Sequence, residues 1–209
     1  MEQFNILYNL HHDSVSGWLM LASFYYRMKH YNTALSIVSY AVSKCTTEKV
    51  YRQRNLSSEQ CEFIKTIQST SITRVLKLLL VRCIYFIPQS TLIPEELELE
   101  VVNTGHFLPP VVYSHFIRFL CNYHLNNVNQ YLSALVDLQL TISEDYFILD
   151  NIQRSSSYNC LGVAFQLIGN HEMAERSFLR SVELDTTFNR ASQRLSIIQR
   201  TSTMSDSTP

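Results

Sequence analysis

Two stretches of this chain, far apart in sequence, carry the same pattern of large and small residues. That pattern constrains the fold more than any other feature. The first runs Trp18, Leu21, Ala22, Tyr25, Ala34, Val38 and Ala41, and the second Tyr158, Leu161, Gly162, Phe165, Ala174, Phe178 and Ser181. Each opens on an aromatic, with leucine at +3, a small residue at +4, an aromatic at +7, alanine at +16, an apolar residue at +20 and a small one at +23. The first four positions share one face of a helix, and the last three share a face of a second. The small residues at +4 and +16 let the two helices approach closely. A short polar link, Lys29-His30-Tyr31-Asn32 or Gly169-Asn170-His171-Glu172, joins them, and Gly169 suits the left-handed end of a helix. Each stretch reads as an antiparallel helical hairpin.

This spacing resembles the tetratricopeptide repeat, whose period is about 34 residues. The resemblance implies an all-α fold: a tetratricopeptide-like stack of antiparallel helical hairpins, or α-solenoid, forming a single domain over residues 1–200. The clear repeats are 15–45 and 155–186, close to four periods apart, which leaves room for three degenerate hairpins between them. One is visible as Phe116, Phe119, Leu120 and Tyr123, then Ala134 and Leu138, with its second helix displaced by about two residues. Pro109-Pro110 marks its start, since proline is tolerated in a first helical turn. The stretch 58–87 reads as two helices, the second with Ile72, Val75, Leu76, Leu79, Cys83 and Ile87 on its apolar face. Pro94-Glu95-Glu96 opens another short helix. Residues 189–199 form a capping helix with Arg190 and Arg194 on one side, covering the end of the stack. The polar stretch 201–209 reads as a disordered tail.

Composition agrees with a helical domain. Apolar residues make up 46% and charged residues 17%, enough for a core, while only four glycines and five prolines stand in 209 residues. A sandwich of short strands needs more turn residues than that. The net charge of -1 offers no basic excess for nucleic acid, whose phosphates supply most of the binding energy. The apolar run from Val75 to Ile87 is broken by Lys77 and Arg82 and is too short to cross a bilayer. The first residues, Met1-Glu2-Gln3-Phe4, lack the pattern of a signal peptide. The five scattered cysteines read as buried thiols, so a cytoplasmic location is expected.

No catalytic constellation emerges. Glu98-Leu99-Glu100 has the alternation of paired metal-binding acids, but it follows Pro94 and reads as a charged helix. Cys121-x-x-His124, with His115 upstream, lacks the second ligand pair of a structural zinc site. The four isolated glycines exclude phosphate-gripping loops and a nucleophile elbow. The expectation is a chain with no enzyme activity, no cofactor and no metal, whose aromatics serve packing. In the repeat architecture, the first helix of each hairpin lines a concave groove that takes a protein or peptide segment. The outward positions there are Ser16, Leu19, Ser23 and Tyr26 in the first repeat, and Ser156, Asn159, Val163 and Gln166 in the last.

Several phrases point to a narrower family. Ser16-Gly17-Trp18-Leu19, Ala41-Val42-Ser43-Lys44-Cys45, Pro109-Pro110-Val111-Val112-Tyr113, Asp137-Leu138-Gln139-Leu140-Thr141-Ile142 and the stretch 158–167 resemble the C-terminal helical extension of male-abnormal-like nucleotidyltransferases, the cyclic GMP–AMP synthase-like receptors. The resemblance covers roughly residues 10–198. Enzymes of that family hold their nucleotide on a Gly-Ser turn, a dipeptide absent here, so no catalytic residue is carried over. The resemblance implies an extension without the enzyme: a detached regulatory part of a receptor in innate immune signalling.

Overall fold

The computed structural model describes residues 15–45, 50–51, 58, 61–62, 65, 80–185 and 190–197. The chain is mostly helical, and six of its α-helices form three hairpins. Helices α1 (Ser16–Arg27) and α2 (Tyr31–Ser43) make the first. Helices α3 (Pro110–His124) and α4 (Val128–Ser143) make the second. Helices α5 (Asn151–Leu167) and α6 (His171–Leu184) make the third. Pro110 occupies the first turn of α3, as its fixed φ favours.

Each hairpin turns through three residues, and the middle one is left-handed: Lys29 at φ 61°, Asn126 at 57° and Gly169 at 79°. The same two backbone bonds close each turn. In the first, the N–H of Lys29 donates to Tyr26 O (2.8 Å) and that of His30 to Tyr25 O (2.9 Å). Asn126 and Asn127 donate likewise to Tyr123 and Asn122, and Gly169 and Asn170 to Gln166 and Phe165. Such bonds satisfy carbonyls that a helix end leaves open.

A shared link implies a shared register. Counted from the left-handed residue, position +4 is Ala22, Phe119 and Gly162, position +16 is Ala34, Tyr131 and Ala174, and position +20 is Val38, Leu135 and Phe178. The second hairpin thus opens at His115 rather than Phe116, and its second helix is not displaced. Its +4 and +16 residues are both aromatic and meet edge-on, with ring centroids 5.8 Å apart. In the third hairpin the atoms nearest a Cβ on Gly162 belong to Phe178. A Cβ on Gly162 would lie 2.5 Å from Cε1 of that ring.

The hairpins pack in sequence order. Helices α1 and α2 both rest on α3, and α3 and α4 both rest on α5. Among the described residues, the second hairpin packs directly on the first. The described residues between them include helical positions at 58, 61–62 and 65, short strands and a 3₁₀ helix. Strand β1 (Val50–Tyr51) pairs in parallel with β2 (Leu80–Val81), and β3 (Ile84–Phe86) pairs antiparallel with β4 (His106–Leu108). The expected apolar helix ending at Ile87 is therefore strand over 80–81 and 84–86, and 71–79 lie outside the described residues. Alternation explains the strand: Ile84, Phe86, His106 and Leu108 point inward while Tyr85 and Phe107 point out. After Pro94 the chain forms a 3₁₀ helix, Glu95–Val101. Ile93, Leu97 and Leu108 from this insertion join Leu19, Tyr113 and Phe116 from the hairpins in one core. Residues 191–197 are helical, while 189, 198–199 and the 201–209 stretch lie outside the described residues.

Candidate interaction surfaces

The eight positions expected to line an open groove are mostly closed. Ser16, Leu19, Ser23, Tyr26, Ser156, Asn159 and Val163 are all buried, and Gln166 is half-buried. The chain's own insertion packs on the same helices and bonds to Tyr26 and Asn159. Strand β3 packs on α1, while β4 and the 3₁₀ helix pack on α5. Ser23 Oγ lies 2.6 Å from the Tyr113 hydroxyl and donates to Leu19 O (2.9 Å). Further hairpins would lie within the stack, whereas the described residues 84–108 lie across the face of α1, α3 and α5.

The four acids of the 3₁₀ helix form its attachments. Glu98 Oε1 accepts from Arg27 (2.7 Å), with Glu95 3.6 Å from the same guanidinium. Tyr26 donates to Glu96 Oε1 (2.6 Å), and His124 Nε2 lies 3.2 Å from that oxygen. The ring of Tyr31 stacks on His124, centroids 5.0 Å apart. Glu100 is 3% exposed and receives Arg194 Nε at 3.0 Å and Asn159 Nδ2 at 3.3 Å. Arg194 also donates to Glu96 O (2.8 Å), which ties the helical residues 191–197 to the insertion. Arg194 thus reaches inward, with 7% of its surface exposed. Glu98-Leu99-Glu100 carries ion pairs, and Glu100 has the Arg194 cation where a metal-binding acid would have a metal.

Burial sets the protonation of this region. It holds the His106 imidazole below its usual pKa, with Glu100 opposing the shift and Arg194 reinforcing it. Burial, then the Glu96 charge, raises the Tyr26 phenol far above its ordinary value. The Cys121 thiol is pushed up to about 12 by burial and then by Glu96, so it stays protonated at neutral pH. Its partner in the Cys-x-x-His spacing, His124, is engaged by Tyr26 and Glu96 instead. Among the described residues no group of three His, Cys, Asp or Glu side chains is placed to hold a metal ion. All five cysteines are free thiols.

Concave surfaces remain open among the described residues. A cleft of about 480 Å³ is lined by Trp18, Asn32, Thr33, Ser36, Ile37 and Tyr40. Trp18 and Tyr40 meet edge-on at 4.9 Å, and Lys44 Nζ sits 4.8 Å over the Tyr40 ring. A smaller cavity of about 240 Å³ lies between β4 and α5, with Phe107 and Ile152 at its mouth and Glu100, Ser155 and Asn159 among its lining. Apart from Trp18, the cleft residues lie on the second helix of the hairpin, outside the first-helix groove that the repeat pattern predicts. The signal in the sequence is that Asn32, Ser36 and Tyr40 recur every four residues, off the core positions Ala34, Val38 and Ala41 of α2.

No helix among the described residues is long and apolar enough to cross a membrane. No protein-family profile, curated protein or solved structure matches this chain.

Proposed function

We propose that this chain is a non-catalytic protein–protein interaction scaffold of the cytoplasm, a tetratricopeptide-like stack that binds a protein or peptide segment. One observation carries the reading: three hairpins share a link, a register and a sequential packing order, as stacked repeats do. With the inner face filled by the insertion, the partner's place is the Trp18–Tyr40 cleft. Its aromatic walls supply contact area and Asn32, Thr33 and Ser36 supply polar groups, the mix typical of recognition sites. Cross-linking followed by purification of the tagged chain tests this, with Tyr40→Ser as the comparison. A partner held by the parent chain and lost from the variant supports the reading. A partner indifferent to the substitution rejects the cleft, and no partner at all rejects the scaffold.

The phrases shared with the receptor extension favour a second reading, in which the chain is the regulatory part of a nucleotidyltransferase-family protein. They fall on α1, α3, α4 and α5 and around the end of α2. Sequencing the transcript upstream of Met1 tests it. A continuous reading frame encoding a Gly-Ser nucleotide turn would support this reading, and an in-frame stop without an alternative exon would reject it.

A further inference from the structure

We propose that the cavity between β4 and α5 binds a small organic cation, an amidinium or ammonium on an apolar body, with its charged end held at His106. The cavity of about 240 Å³ holds far more than one water, whose share of liquid volume is about 30 Å³. His106 on its wall is 9% exposed, and its Nε2 is buried without a hydrogen-bond partner among the described residues. A buried nitrogen left in that state costs free energy, which an N–H donated by a ligand would recover. Ser156, 5% exposed, stands on the same wall from the second turn of α5.

The lining selects the charge. Glu100 and Asp185 both belong to it, and none of its residues is a lysine or an arginine. Arg194 grips Glu100 at 3.0 Å from outside the lining. An anion would therefore meet carboxylates with no cation beside it. The other polar groups can accept hydrogen bonds: the Thr104 and Ser156 hydroxyls, the Asn159 carbonyl, and the His106 ring, which burial keeps neutral. Amidinium and ammonium groups, which only donate, match such a wall. The mouth selects the body. Phe107 and Ile152 are 47% and 49% exposed there, and Phe107 lies against Tyr85 with ring centroids 4.4 Å apart. A flat apolar group packs well on these side chains. This inference is independent of the Trp18–Tyr40 cleft and of any protein partner there.

Amide NMR of the purified chain, titrated with benzamidine, benzamide and benzoate, tests it. The three probes share a shape and are positive, neutral and negative. Benzamidine should shift the amides of 104–107 and 152–159 saturably, benzamide should bind about tenfold more weakly, and benzoate should not bind. His106→Phe, which keeps a ring and removes both nitrogens, should weaken benzamidine binding about tenfold. Ile152→Trp, which narrows the exposed mouth, should weaken it as well, and Tyr40→Ser should change nothing. No saturable shift with benzamidine means a cavity that holds water alone, and overturns the proposal. So do equal affinities for the three probes, shifts confined to α2, or binding unchanged by either His106→Phe or Ile152→Trp in a folded chain.

Discussion

In the third hairpin α5 and α6 meet across Gly162 and Phe178, while in the second α3 and α4 meet across Phe119 and Tyr131. The turn between the helices is the same in both, down to its two backbone bonds. The third hairpin is capped at both helix starts: Asp150 accepts from the Gln153 N–H and Asn170 from the Met173 N–H. Neither helix of the second has a side-chain cap hydrogen bond. The turn thus fixes the register, and the contents of the helix interface vary as long as facing volumes fit. The insertion is tied differently to the two, through Glu100 and Asn159 in the third and through Glu96 and His124 in the second.

That difference makes the buried ion pair beside the third hairpin the place to expect the largest effect. Arg194→Met leaves Glu100 buried without its cation, and should cost about 3–5 kcal/mol in denaturant unfolding. Joint replacement, Glu100→Leu with Arg194→Met, should recover most of that loss. Equal losses in the single and joint variants would show that the pair is not what holds the insertion.

The interface volumes come next. Phe119→Ala in the second hairpin opens a cavity and should also cost about 3–5 kcal/mol. Gly162→Ala in the third errs the other way, by overpacking, and should cost about 1–3 kcal/mol. Adding Phe178→Val to it copies the Ala22 and Val38 found at those positions of the first hairpin, and should return part of the stability. If Gly162→Ala is neutral, the helix pairing is wrong.

A pH titration sharpens the comparison through two histidines. Burial lowers the pKa of both His106, beside the third hairpin, and His115, in the second. The unfolded chain therefore takes up protons that the folded chain refuses. Stability is complete above the unfolded value of about 6.5 and falls below it, by at most ~1.4 kcal/mol per pH unit for each group. His106→Leu should flatten the acid limb of stability against pH more than His115→Leu, since His106 is the more deeply buried. The reverse ranking would contradict the burial described here. The smallest effects belong to the links. Lys29→Gly should stabilise and Gly169→Ala destabilise by about 1 kcal/mol each, with opposite shifts in melting temperature.

The first and third hairpins were legible because both their apolar periodicity and their small residues survive in sequence. The second was legible as helices but not in register. Phe116 is a buried aromatic and reads as the opening of the motif, whereas the left-handed Asn126 sets that position at His115. The insertion was not legible as strand. Leu80, Val81, Ile84 and Phe86 form a short apolar run whose period fits a buried helix as well as a strand, and tertiary pairing decides. The closure of the groove depends on contacts such as Glu100 with Arg194, 94 residues apart, which no local pattern records. Chemistry alone identified the residues that a groove would expose. Which of them the chain covers for itself required the fold.

The central claim is that the inner face of α1, α3 and α5 is occupied by residues 84–108 of the same chain. Amide hydrogen exchange across the native protein tests it most directly. The account predicts that buried amides of the insertion, those of Leu97, Val101 and Leu108 among them, exchange as slowly as those in the middle of α3. Exchange there at the rate of a free peptide, with α3 and α5 still protected, would contradict it and leave an open groove.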